Sequence, residues 1–230
     1  MSIGCLMLHG FTGGTYEVGP LAYHLQEHTT WDIRLPTLPG HEKNARIEEA
    51  THEEWLERAE SILQDLLEKN DTVYIIGFSM GGMIAAYLAA TYPVEKVVFL
   101  APAVKVLSVR QLTIDVSEVV ADGFRGRLNE NVIYEHYKAK LRTVPARAGF
   151  EFLKLQRYTR PYLKEVTVPV FIAHGRQDTI VPVQTVHYLQ REIPSAKKQV
   201  VIFDRSRHLL CLGEDQHVLI RMVYEFLTSK

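Results

Sequence analysis

Cysteine is scarce, neither sign of charge prevails, and no long apolar run occurs. The 230 residues hold two cysteines, Cys5 and Cys211, and neither sits in a metal-ligand spacing such as C-x-x-C. That excludes a disulfide-stapled scaffold and suits a reducing compartment better, although sequence leaves a bond between the two open. Lys and Arg number 26 against 27 Asp and Glu, for a formal charge of −1. Such a balance gives no electrostatic case for nucleic acid or an anionic membrane surface as partner. No apolar stretch approaches the length of a bilayer span. The N-terminus lacks the charged, apolar and small-residue regions of a secretion signal. The expectation is a cytoplasmic protein with no integral membrane segment. The phosphate cradle G-x-x-x-x-G-K-[ST] and the dinucleotide fingerprint G-x-G-x-x-G are both missing. No cofactor and no metal are expected, and there is no internal repeat or Pro- or Ser-rich linker.

What remains is an ordinary globular composition, 47% apolar, in a chain long enough for one α/β domain with a sizeable core. Short apolar runs at Ile3–His9, Asp32–Leu35, Thr72–Ile76, Val97–Leu100, Val168–Ala173 and Gln199–Phe203 read as buried strands. Between them, helical spacing appears over Tyr16–Glu27, Trp55–Leu67, the Ala-rich stretch to Thr91, Val183–Arg191 and Gln216–Leu227. Alternating helices and continuously apolar strands predict a parallel sheet covered on both faces. One segment breaks the rhythm. Residues 103–165 contain no clear buried strand, while Phe150–Leu163 looks helical. This is too long for a plain loop. It predicts an inserted cap over the carboxyl edge of the sheet, with residues 1–102 and 166–230 forming the core domain.

The stretch I-I-G-F-S-M-G-G, from Ile75, places Ser79 between Gly77 and Gly81 where a strand turns into a helix. G-x-S-x-G in that context marks a nucleophile held on a tight corner, with glycines where side chains would collide. A nucleophilic serine needs a base. Of ten histidines, His208 follows the last strand after a short polar loop and precedes the last helix. His174 ends a strand and reads as structural, and His9 as a brace for its own loop. The base needs an acid to fix its tautomer. Asp178 lies in the loop after the preceding strand; Asp204, four residues before His208, is the rival. Developing negative charge needs backbone donors. The N–H of Met80 follows the nucleophile, and Phe11 in H-G-F-T-G-G supplies the second.

Together, L-H-G-F-T-G-G, P-T-L-P-G-H, G-F-S-M-G-G, H-G-R-Q-D-T-I-V-P and S-R-H resemble the α/β-hydrolase superfamily, and within it small bacterial carboxylesterases and monoacylglycerol lipases. The resemblance spans the sheet domain almost end to end and matches the cap in position and length only. It implies an α/β-hydrolase fold of about six mainly parallel strands. It also implies Ser79, Asp178 and His208 as nucleophile, acid and base, with Phe11 and Met80 as oxyanion donors. His41 matches the family's P-G-H turn, although Glu42 replaces the usual following glycine. The implied activity is hydrolysis of a small-molecule ester with an apolar acyl group, which the Val, Leu, Ile, Phe and Tyr of the cap would suit. The same motifs also fit a thioesterase, a lactonase, a C–C hydrolase or lyase, or a signalling relative that binds a small molecule.

Overall fold

The structure is a computed structural model that describes residues 1–104 and 144–229. Six parallel strands form one sheet: β1 (Ile3–Leu8), β2 (Asp32–Arg34), β3 (Thr72–Phe78), β4 (Lys96–Leu100), β5 (Val170–Gly175) and β6 (Lys198–Phe203). Their spatial order is β2-β1-β3-β4-β5-β6. Among the described residues the helices are α1 (Gly19–His28), α2 (His52–Lys69), α3 (Met80–Thr91), α4 (Ala146–Thr159), α5 (Gln184–Glu192) and α6 (Gln216–Thr228). Six parallel strands flanked by helices agree with the expected fold class.

Successive strand residues point to opposite faces, and each face is apolar. Leu6, Leu8, Val73, Ile75, Val97, Phe99, Val170 and Ile172 join the side chains of α2, α3 and α4 in one core. Cys5, Met7, Ile76, Phe78, Val98, Leu100, Phe171 and Ala173 join those of α1 and α6 in the other. The chain runs from β1 outward to β2, then returns to place β3 on the other side of β1. Strand order therefore reverses between β1 and β3, where Leu8 pairs with Gly77. Ligand sites in open α/β sheets form at such a point, outside the carboxyl ends of the strands. The loops that begin at His9 and Ser79 leave the sheet there.

Element boundaries shift for local reasons. Tyr16–Glu27 is not one helix: a 3-10 turn at Thr15–Glu17 precedes α1, whose first turn holds Pro20. Proline is accommodated there because the opening N–H groups of a helix have no partner within it. β5 starts at Val170 rather than Val168, since Pro169 has no N–H to give the ladder, although its carbonyl accepts from Val97 N at 3.1 Å. Of the expected cap, 103–165, residues 105–143 lie outside the described residues. Within its remainder, α4 and a 3-10 segment, Arg160–Glu165, place Phe152, Leu155 and Leu163 in the same core as Ile84 and Leu88 of α3. Among the described residues no helix is long and apolar enough to cross a membrane.

Candidate active site

Ser79 joins β3 to α3 with φ 51° and ψ −110°, a conformation that costs a non-glycine residue about 1–3 kcal/mol. The surroundings impose it. Ser79 N donates to Leu100 O at 2.9 Å, and Ser79 O accepts from Gly82 N and Ala103 N, each at 3.1 Å. The corner is also closed sterically. A Cβ on Gly77 would lie 2.3 Å from Gly81 O, and one on Gly81 would lie 2.4 Å from Leu8 O. No side chain fits at either distance, so the two glycines let α3 start directly against the ends of β1 and β3.

The structure brings the expected side chains together. His208 Nε2 lies 3.0 Å from Ser79 Oγ, and His208 Nδ1 lies 2.7 Å from Asp178 Oδ2. Ser79 and His208 are buried, and so is the side chain of Asp178. Asp178 follows β5, and its other oxygen, Oδ1, accepts from Ile180 N at 2.8 Å and Val181 N at 2.9 Å. That local turn aims Oδ2 at His208. Burial acts to raise the Asp178 carboxyl, but His208, His174 and the Val181 amide outweigh it and hold it below the usual carboxylate range. The lowered pKa favours the carboxylate at Asp178, an acceptor suited to an Nδ1–H of His208, while Nε2 faces Ser79 Oγ. Asp204, the rival acid, is exposed and pairs with Arg176 instead.

The backbones of Phe11 and Met80 sit on the loops that leave β1 and β3. Among the described residues neither amide donates to a protein acceptor. The amides around Phe11 are engaged: Thr12 N donates to His41 Nε2 at 3.1 Å, and Gly10 N to Glu17 Oε2 at 2.7 Å. His9 braces this region as expected. Its Nε2 accepts from Leu38 N at 3.0 Å, and burial, helped by nearby His41, pushes its pKa down to about 4. His174 is likewise structural, bound through Nε2 to Val181 O at 2.9 Å. A cavity of about 530 Å³ flanks the loop, with Thr12, Gly13, His41, Asn44 and Pro145 in its wall.

Sequence reasoning missed the side chains that hold Phe11. Its ring stacks on Phe152 at 4.9 Å between centroids and meets Trp55 edge-on at 5.8 Å. Trp55 Nε1 donates to Pro39 O at 2.9 Å, which ties the P-G-H turn to α2. Glu17, buried inside the loop, was also missed. The G-x-x-E spacing from Gly14 was its only signal, since the acid there caps the 3-10 turn.

A parallel sheet with a serine on a strained strand-to-helix corner of its carboxyl edge defines an α/β-hydrolase. The chain belongs to the Hydrolase_4 family, described as Serine aminopeptidase, S33, whose model matches residues 4–216. It is 26% identical to the thermostable monoacylglycerol lipase of Bacillus sp. (strain H-257), covering 99% of this chain and 91% of the relative. It is 24% identical to a carboxylesterase of Bacillus subtilis (strain 168), covering 96% and 91%. A solved structure of a metagenome-derived lipolytic enzyme superposes with a TM-score of 0.79 at 19% identity, covering 98% of this chain and 93% of that one.

Proposed function

We propose that this protein hydrolyses carboxylic esters, of the carboxylesterase or monoacylglycerol lipase kind, through an acyl-enzyme on Ser79. The observation that carries the reading is the hydrogen-bonded series from Ser79 Oγ through His208 to Asp178 on a strained corner. His208 takes the Ser79 proton as Oγ attacks the acyl carbon. The oxyanion forms between the N–H groups of Phe11 and Met80. His208 then protonates the departing alcohol, and a water activated by the same imidazole clears the acyl group. In this reading segment 103–165 serves as a cap, and its Val, Leu, Ile, Phe and Tyr suit an apolar acyl group. The names of the two Bacillus relatives support an ester substrate. Free, buried Cys5 and Cys211 are consistent with a cytoplasmic setting.

The test is a chain-length series of p-nitrophenyl esters and monoacylglycerols. Ser79→Ala should lower kcat by at least about 10⁴-fold while leaving circular dichroism unchanged. Full turnover by that variant would refute the acyl-enzyme. The family description favours a second reading, amide hydrolysis at a peptide N-terminus. Aminoacyl p-nitroanilides run beside the esters separate the two, because an aminopeptidase would prefer the anilides.

A further inference from the structure

Glu17 is a buried acid, 1% exposed, that the reaction above does not use. One of its oxygens, Oε2, accepts from Gly10 N at 2.7 Å and from Gly14 N at 3.3 Å. These amides bracket the expected oxyanion donor: Gly10 precedes Phe11, and Gly14 follows it by three residues. Between them, Thr12 is held at φ 61° with its amide on His41. Gly10, Thr12 and Gly14 thus turn their N–H groups onto side chains, and the Phe11 N–H is left for a ligand. Gly13 shows how tightly the loop wraps the acid, since a Cβ there would lie 2.1 Å from the Glu17 carboxyl carbon. The Cys211 thiol is pushed up to about 12 by burial, with Glu17 adding to the effect.

We propose that Glu17 is a positioning residue for the oxyanion loop: its Oε2 gathers the Gly10 and Gly14 amides and so aims the Phe11 N–H at the reacting oxygen. This inference rests on the ester-hydrolase reading. Its logic is geometric rather than electrostatic. A carboxylate this close to the loop repels a developing oxyanion, so its value lies in the acceptor, not the charge. Because one oxygen serves both amides, a glutamine carbonyl can replace it.

Three variants, Glu17→Ala, Glu17→Gln and Gly13→Ala, test this through kcat and KM on p-nitrophenyl butyrate and through the affinity for an alkyl boronic acid. The boronic acid forms a tetrahedral adduct on Ser79 that mimics the oxyanion. Misaiming one oxyanion donor should cost Glu17→Ala about 10–100-fold in kcat with KM within about threefold, and weaken the boronate by a matching factor. Glu17→Gln should recover to within about fivefold of wild type on both measures. A Glu17→Ala protein with kcat within about threefold of wild type, or with kcat reduced but boronate affinity intact, overturns the proposal. Should Glu17→Ala fail to fold, Gly13→Ala displaces the carboxylate in its place. The same kcat loss with steady KM is expected there, and unchanged kinetics overturn the proposal. A wild type that turns over no ester but binds the boronate refutes the ester reading alone, since the variants are then compared by affinity. A wild type that binds no boronate overturns both.

Discussion

Ser79 carries backbone strain that the hydrogen bonds to Leu100, Gly82 and Ala103 hold in place. Its chemistry depends on how its partners are themselves held. Asp178 spends Oδ1 on two amides and keeps Oδ2 for His208, so exchanging that oxygen for an amide nitrogen alters the imidazole tautomer without emptying the site. Asp178→Asn should therefore fold normally yet lose about 10⁴-fold in kcat on p-nitrophenyl butyrate. A loss below tenfold would remove Asp178 from the orienting role. His9 lies in the same region but already has both ring nitrogens engaged, on Leu38 N and Gly10 O, which fits a brace rather than a second base.

Among the elements, β4 and α6 are joined by an unusual contact. Lys96, the first residue of β4, is buried, and its ammonium donates to the carbonyls of Phe226 and Leu227 at 3.0 and 3.2 Å, and to that of Ser229. Burial lowers its pKa, but the last carbonyls of a helix are the favoured place for a cation. Lys96→Met keeps the apolar stem and leaves those carbonyls without the charge. It should lower stability by about 1.5–3 kcal/mol in urea unfolding, the range for hydrogen bonds to a charged group. A midpoint equal to wild type would show that water replaces the ammonium at no cost. α2 and α4 are joined by Glu151, whose Oε2 accepts from His52 N at 3.2 Å and lies 2.7 Å from His52 Nδ1. Lys154 binds Oε1 at 2.7 Å. This pair of helices also supplies Trp55 and Phe152 to the ring of Phe11.

At the scale of the whole molecule, acid should weaken the fold over two pH windows. Folded His9 titrates at about 4 against an ordinary 6.5, because burial opposes its charged form. Between those values the unfolded chain binds a proton that the native chain refuses, so stability falls as pH drops through that window. Glu151 acts lower down. Burial raises its pKa, but Lys154 and His52 outweigh burial and bring it to about 2 from an ordinary 4.5. Its contribution is complete above 4.5 and is lost as pH falls toward 2. Urea midpoints measured from pH 7 to 4 should decline, and His9→Gln should flatten that decline; an equal slope would exclude His9 as its source. Thiol chemistry offers an independent reading of the same fold. Cys5 and Cys211 are free and buried, and burial pushes both thiols up to about 12, with Glu17 adding to the effect at Cys211. A disulfide reagent should label neither quickly in the native protein and both in denaturant. Rapid native labelling would mean that the core opens far more readily than its packing implies.

Much of this was legible in the chain, because it is written in local periodicity and local turn chemistry. Continuous apolar runs separated by helical stripes announce a covered parallel sheet, and G-F-S-M-G-G between strand and helix announces the corner that Ser79 occupies. Asp178 was favoured over Asp204 because it follows the strand before the histidine loop, whereas Asp204 lies within that loop, only four residues before His208; parallel strands then bring the ends of β3, β5 and β6 to one edge. What only the tertiary structure decided are contacts between residues far apart in sequence. Glu17 resembles a surface acid at the head of a helix until a separate 3-10 turn at Thr15–Glu17 sets it apart from α1 and the loop folds over the carboxylate. Trp55 and Phe152 look like ordinary core residues until α2 and α4 converge on Phe11. Lys96 gives no hint of burial until α6 ends against β4. A pattern along the chain records which face a residue turns inward, whereas the atom it meets there depends on how separate elements pack.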